Sequence, residues 1–328
     1  VQVLDAPDHA KPGTPDGRVT AREIAPPESS LAQATEMLKA AQRPVIIVGH
    51  GARFDMPAVT ALAEKLNAPV LTTFKGKGLI ADTHPLGCGV LGRSGTPIAS
   101  WFMNECDTLL VMGASFSNHT GITPKKPTIK DDYDALALGR FHAIDCPVWG
   151  EIGTTAKLLV ERLGDDVAAV DQRDEVAERW KIWREEKLRR EKENRGAGVD
   201  SASIFAAMTR QVPKDAIISV DVGNNTYSFG RYFECDSQAV LMSGYLGSIG
   251  FGLPGAIGAW CATQEDDPRF SGRKVVSVSG DGGLGQYLAE LTTAAKYEMD
   301  VTHILLNNSE LGKISKEQRA GNWDVWQT

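Results

Sequence analysis

Residues 279 to 308 read SGDGGLGQYLAELTTAAKYEMDVTHILLNN, with an acid among glycines after one apolar run and two asparagines after the next. Val275, Val276 and Val278 form a strand that delivers Gly280, Asp281, Gly282 and Gly283. Val301, Ile304, Leu305 and Leu306 form another, delivering Asn307 and Asn308. Between them Leu284, Leu288 and Leu291 fall at helical spacing, so the unit reads strand, helix, strand. A right-handed crossover puts both strand ends on one rim of a parallel sheet, where open α/β sheets bind ligands. Asp281 and Asn308 can therefore converge although 27 positions separate them. A carboxylate oxygen with an amide oxygen is a hard donor pair, suited to Mg²⁺ or Ca²⁺ and unsuited to zinc. Mg²⁺ held by few protein groups completes its octahedron with waters and ligand phosphates. Gly280, Gly282 and Gly283 leave space for backbone N–H groups to approach a phosphate at the helix start. The combination implies a magnesium–diphosphate cradle. Singly, its parts have plainer readings: Asp281 as a helix cap and the asparagines as turn formers.

The elements that must position this cradle form two alternating blocks. After a Pro-rich linker that follows a short VQVL strand, Leu31, Ala34, Leu38 and Ala41 mark a helix with Ser29 or Ser30 as its cap. RPVIIVGHGA, APVLTTF and CDTLLVMGAS read as buried strands, with MPAVTALAEKL as a helix between the first two. Apolar strands alternating with amphipathic helices imply a parallel sheet covered on both faces. A charge-dense helix follows, with Glu175 and Arg179 as an i,i+4 pair and an apolar edge of Trp180 and Trp183. From Ser201 the alternation resumes with SIFAAMTRQV, AIISVDVG, SIGFGLPGAIGAW, KVVSVSGDGG and VTHILLNN. The fold class is thus α/β, with two doubly wound parallel-sheet domains. We expect boundaries at 1–27 for the end of a preceding domain and the linker, 28–164 for the first domain, 165–200 for the connecting helix and 201–328 for the second, which is expected to be cut short at its C-terminus.

Composition narrows the functional classes. The chain has 328 residues, 42% hydrophobic and 23% charged, with a net charge of −7. That balance, with no basic stripe, argues against a nucleic-acid partner. The cluster Lys187–Leu188–Arg189–Arg190 is interleaved with glutamates and reads as a solvated helix face. No apolar run reaches the roughly 18 residues a membrane span needs. Five scattered cysteines, none in a C-x-x-C pair, suit a reducing compartment, so a cytoplasmic protein is the expectation. His50, His84 and His119 read as loop histidines and His303 as a hydrogen-bonded strand residue. No G-x-S-x-G elbow is present, which leaves no basis for a serine triad.

GDG followed by NN resembles the signature of thiamine-diphosphate-dependent enzymes, and the surrounding residues look most like the pyruvate oxidase and acetolactate synthase group. The resemblance implies that Asp281, Asn308 and the main-chain carbonyl of Glu310 hold Mg²⁺. VDVGNNTYSFGRYF, residues 220–233, looks like the family's diphosphate-side loop, which assigns cofactor contacts to Gly223, Asn224 and Asn225. A glycine turn closing a strand is the plainer reading there. GYLGSIGFGLPGAIGA, residues 244–259, resembles the stretch that bends the cofactor. On that match Ile249 wedges between the two cofactor rings and the Gly247 carbonyl meets the aminopyrimidine, bringing the reacting groups together. Read without the family, Ile249 could equally pack under a glycine-rich helix start.

The first domain resembles the Rossmann-like central domain of the same enzymes, which holds FAD in the flavin-containing members. Here GHGA departs from the dinucleotide fingerprint, and Ser115 stands where an arginine is usual. Retained FAD and a vestigial nucleotide fold both stay open. The resemblance implies an enzyme acting on pyruvate or a related 2-oxo acid, decarboxylating it and passing on the two-carbon unit, with a homodimer or homotetramer as the assembly. The alternatives are a simple decarboxylase or a non-catalytic cofactor-binding module. The family's catalytic glutamate lies in a pyrimidine-binding domain, of which VQVLDAP resembles only the closing strand, and Glu23 and Glu28, in the Pro-rich linker, are not credible substitutes. The chain is therefore expected to be a fragment, inactive alone.

Overall fold

β-branched runs bounded by glycine become the strands of two separate sheets. The computed structural model describes every residue except 1–6, 10–16, 18, 20, 118–119, 122–124, 166, 194–195 and 197. The expected VQVL strand and His119 lie outside the described residues. In the first sheet the strands are β1 (Pro44–Val48), β2 (Val70–Thr72), β3 (Gly87–Val90), β4 (Thr108–Met112), β5 (Thr128–Asp132) and β6 (Cys146–Trp149). They pair in parallel in the order β3-β2-β1-β4-β5-β6. Strand order reverses beside β1, giving the doubly wound topology whose ligand crevice opens at the carboxyl ends.

Period-two alternation divides the interior of this sheet into two cores. Ile46, Val48, Leu110 and Met112 pack against α1 (Glu28–Ala40), α2 (Met56–Lys65) and α4 (Ile152–Leu163). Val45, Ile47, Leu109 and Val111 pack against α3 (Pro97–Glu105) and α5 (Arg173–Glu191). The first helix begins at Glu28 with Pro27 in the cap position, ahead of the expected serines. α5 is the charge-dense connector. Its Trp180 and Trp183 are buried in the second of these cores, and the Trp180 indole N–H donates to the Gly87 carbonyl at 2.7 Å. Glu175 does not pair with Arg179. It takes a 2.6 Å bond from Arg43 and a 2.7 Å bond from Trp101, while Arg179 stacks on the Trp101 ring.

The second sheet comprises β7 (Ile217–Val220), β8 (Ala239–Met242), β9 (Val275–Gly280) and β10 (Val301–Leu306), all parallel, in the order β10-β9-β7-β8. Ile218, Val220, Val276 and Val278 meet α6 (Ser201–Gln211) and α7 (Asn224–Tyr232) through Phe205, Met208 and Phe229. On the opposite face α8 (Gly252–Thr263) covers Ile217 and Val275. The helix comes close because Gly252 and Gly255 lack side chains: a Cβ there would stand 2.4 Å from Ser279 Oγ and 2.5 Å from Ser219 Oγ. The long helix expected after Gly283 is divided into α9 (Asp281–Gln286) and α10 (Glu290–Lys296). Three glycines weaken α9, and the Tyr287 ring is drawn over Gly250, where a Cβ would lie 2.5 Å from it. The expected apolar stripe is therefore not a core face, since Leu288 and Leu291 are 55% and 40% exposed.

Loops at the carboxyl ends of β2 and β3 join the two sheets. Lys77 and Asp82 form a buried 3.1 Å ion pair, and Asp82 Oδ2 also accepts from the Cys235 backbone N–H at 2.7 Å. Arg231 of α7 donates to the carbonyls of Gly95 and Arg93. Removing one partner of a buried pair such as Lys77–Asp82 strands the other charge, so the junction resists change at either residue. Among the described residues no helix is long and apolar enough to cross a membrane.

Candidate functional site

β9 and β10 run in register, with Gly280 opposite Leu306, so the residues that follow emerge side by side. Asp281 opens α9 behind a Gly280 cap residue. Beyond β10, Asn307 Oδ1 accepts from the Ser309 backbone N–H at 3.0 Å, and Ser309 takes a left-handed φ of 53°. That turn brings Asn308 back toward β9. Its amide oxygen faces two other oxygens, the Glu310 carbonyl at 3.0 Å and Asp281 Oδ1 at 3.3 Å. An amide oxygen so close to two others is repelled unless the amide rotates to donate N–H to both, or a cation lies among them. Neighbouring ligands of an octahedral Mg²⁺ with bonds of about 2.1 Å stand about 3 Å apart, so the donor set fits that ion. Among the described residues no cluster of three His, Cys, Asp or Glu side chains could hold a metal, in keeping with a site built from one acid, one amide and one carbonyl. The Glu310 carboxylate turns away, paired with Arg319 at 2.9 Å. Bonds from Ser315 and then Arg319 hold its pKa below the usual value.

Gly223 caps α7 with φ +136°, a conformation glycine adopts freely. Asn225 reaches back to donate to the Asp221 carbonyl at 2.9 Å. Asn224 lies against Gly312, where an added Cβ would stand 2.4 Å from its Nδ2 and 3.1 Å from that of Asn308. Ile249 lies over the start of α9, its Cδ1 3.8 Å from where a Gly282 Cβ would be. Gly247 has φ +65°, with open space where a side chain would point. Gly282 and Gly283 are required by protein neighbours as much as by any ligand: a Cβ would meet Leu311 at 2.6 Å at the first and Asp221 Oδ2 at 2.3 Å at the second.

Asp221 was missed by the sequence reading. Its carboxylate is 1% exposed, and Oδ1 accepts from Val222 N–H at 2.7 Å and Gly250 N–H at 2.8 Å. Its signal was an acid closing the apolar run IISV, the same pattern that marked Asp281 after VVSVSG. His303 is not the hydrogen-bonded residue expected. Neither ring nitrogen has a partner among the described residues, and burial lowers its pKa against the opposing charge of Asp221.

A cavity of about 510 Å³ opens between the carboxyl ends of the two sheets. His50, Lys75, Arg93 and Ser115 line one side, Gly223 and Gly247 the other. No carboxylate is among the described residues that line it, so its field favours an anion. His50 is held neutral more readily than a free imidazole, by burial first and then by Arg53 and Lys75.

Two family models match the chain: the thiamine pyrophosphate enzyme central domain over residues 31–159, and the C-terminal TPP binding domain over residues 221–325. YdaP of Bacillus subtilis, named as a thiamine pyrophosphate-containing protein, is 29% identical over 305 residues, covering 92% of this chain and 51% of the relative. The acetolactate synthase isozyme 1 large subunit of Escherichia coli is 31% identical over 300 residues, covering 89% of this chain and 50% of the relative. The acetolactate synthase large subunit of Parasynechococcus marenigrum is 28% identical over 302 residues, covering 90% and 47%. The chain spans about half the length of the curated relatives it matches. With its two α/β sheets aligned to those two models, the chain belongs to the thiamine pyrophosphate enzyme family.

Proposed function

We propose that this chain carries the cofactor anchor of a thiamine-diphosphate- and Mg²⁺-dependent enzyme acting on pyruvate or a related 2-oxo acid. The observation that carries the reading is the placement of the Asn308 side-chain amide 3.0 Å from the Glu310 carbonyl and 3.3 Å from Asp281 Oδ1, at two adjacent strand ends. In this reading those three groups hold Mg²⁺, and the ion with the backbone of Gly223 to Asn225 and Gly280 to Gly283 binds the diphosphate. Ile249 and the Gly247 carbonyl orient the rings. The bound cofactor supplies the electron sink that makes loss of CO₂ from a 2-oxo acid feasible. Lys75 and Arg93 give the cavity its positive field, which draws a carboxylate toward the site. Lys75 is held in place by the chain, its aliphatic stem lying against Gly244, where a Cβ would meet it at 2.9 Å.

The boundaries 28–164, 165–200 and 201–328 belong to this reading, as does an assembly of two or four copies in the cytoplasm. The acetolactate synthase relatives favour transfer of the two-carbon unit to an acceptor over simple decarboxylation. FAD in the central cleft stays an alternative, tested by a flavin absorbance band in the purified protein. For the cofactor itself the test is calorimetry with thiamine diphosphate, with and without Mg²⁺. Binding that requires Mg²⁺ and weakens about 100-fold or more in Asp281→Ala is expected, because one of few protein ligands is lost. An unchanged isotherm removes Asp281 from the site.

A further inference from the structure

We propose that Asp221 is a positioning residue, whose side chain ties the loop carrying Gly247 and Ile249 to the floor of the cradle; the assignment rests on the cofactor reading above. The strand end at Asp221 is already fixed by its backbone. Its N–H donates to the Val278 carbonyl at 2.8 Å, and its own carbonyl accepts from Asn225 Nδ2 at 2.9 Å and from the Thr226 hydroxyl. Those bonds hold the Gly223 loop through the backbone, and Oδ1 adds one local bond to it, from the Val222 N–H at 2.7 Å. The carboxylate makes one long-range bond, across 29 residues, to the Gly250 N–H. Gly250 has φ +92° and directly follows Ile249, so this bond sets the height of the wedge over Gly282.

Three loops thus meet on one buried side chain. Oδ1 joins the end of β7 to the Gly250 turn. Oδ2 has no hydrogen-bond partner among the described residues and faces Gly283, where a Cβ would approach it to 2.3 Å. A buried acid that accepts two backbone N–H groups with one oxygen, and seats a glycine of α9 with the other, fixes how far the ring-side loop stands from the diphosphate-side loops. Pre-organisation of that kind acts chiefly on the rings of the cofactor, because the diphosphate-side loop after β7 keeps its backbone bonds to Val278, Asn225 and Thr226.

The separation between rings and diphosphate supplies the test. On the full chain, Asp221→Ala and Asp221→Asn are compared with the wild type for Mg²⁺-dependent binding of inorganic pyrophosphate and of thiamine diphosphate. Near-ultraviolet circular dichroism of the bound cofactor reports how its two rings are held, and thermal unfolding monitors the fold. Asp221→Ala is expected to bind pyrophosphate within about twofold of wild type, to lose about tenfold in thiamine diphosphate affinity, and to alter the dichroic band. Asp221→Asn retains an acceptor for Gly250 but buries an N–H group against Gly283. A loss of about threefold, again confined to thiamine diphosphate, is expected of it. An alanine variant that matches wild type in affinity and dichroism overturns the proposal, and so does one that loses both ligands equally. If the alanine variant does not fold, the asparagine variant decides by the same criterion. A wild-type chain that binds neither ligand sinks the cradle reading and this assignment together, an outcome distinct from the other two.

Discussion

The two sheets share parallel pairing and crossover helices but fill their interiors differently. Every residue of β1 and β4 is buried, and alternate side chains enter two apolar cores. In the second sheet Ser219, Asp221, Ser277 and Ser279 occupy the α8 face near the strand ends, each with a buried oxygen that has no partner among the described residues. Its outer strand β10 is half open, with Leu305 44% exposed. Tyr287, Leu288, Leu291, Trp323 and Trp326 are also exposed. The first sheet behaves as a scaffold whose residue types are set by burial. The second gives up apolar packing toward its strand ends, where buried serines and an acid lie under the close-packed Gly252 and Gly255 of α8.

Parallel truncations sharpen that contrast. Phe102 is fully buried in the first region, and Phe102→Ala should cost about 3–5 kcal/mol in urea unfolding. Leu288→Ala in the second should cost less than about 0.5 kcal/mol, because the side chain is already 55% exposed. Similar losses at both positions would mean that the second sheet is as tightly packed as the first.

Next in size is a pair of glycine substitutions within α9. Gly283→Ala forces a methyl onto Asp221 Oδ2 and should destabilise by about 1–3 kcal/mol. Gly285→Ala meets nothing within 4 Å and, by helix propensity, should stabilise by up to about 1 kcal/mol. Opposite signs in thermal unfolding are the expected result; equal effects would show that Asp221 gives way.

The smallest effect belongs to a pair of acids in the first region. Burial, and then Glu151, push the Asp55 carboxyl from 3.8 up to about 6. The folded chain therefore keeps a proton that the unfolded chain releases, and this contribution to stability is lost as pH rises from about 4 through about 6. Asp55→Asn should remove that slope and leave the protein more stable than wild type at pH 7. The gain should be about 1 kcal/mol, once screening by water at this partly exposed group is allowed for. Denaturant melts between pH 5 and 7.5 check it, and parallel curves for the two proteins would contradict it.

The sheets were readable in the sequence because a strand buried on both faces shows as an unbroken apolar run, as in PVIIV and TLLVM. Asp281 and Asn308 were readable because each closes such a run and one crossover joins them. Other features depend on tertiary contacts that periodicity does not report. Asp221 matters through a bond to Gly250, 29 residues away. The break in the helix after Gln286 follows from the Tyr287 ring lying over the same glycine. Glu175 finds Arg43 across the fold in place of its helical neighbour, because Arg179 is taken up by the Trp101 ring.

The central claim is that the carboxylate after β9 and the amide after β10 share one divalent ion with a diphosphate. Mn²⁺ occupies hard-oxygen sites of this type and is visible by electron paramagnetic resonance, so titrating it into the full chain with and without pyrophosphate tests the claim directly. The account predicts a bound Mn²⁺ signal that strengthens when pyrophosphate is added and disappears in both Asp281→Ala and Asn308→Ala. A bound signal that survives either substitution unchanged would contradict it.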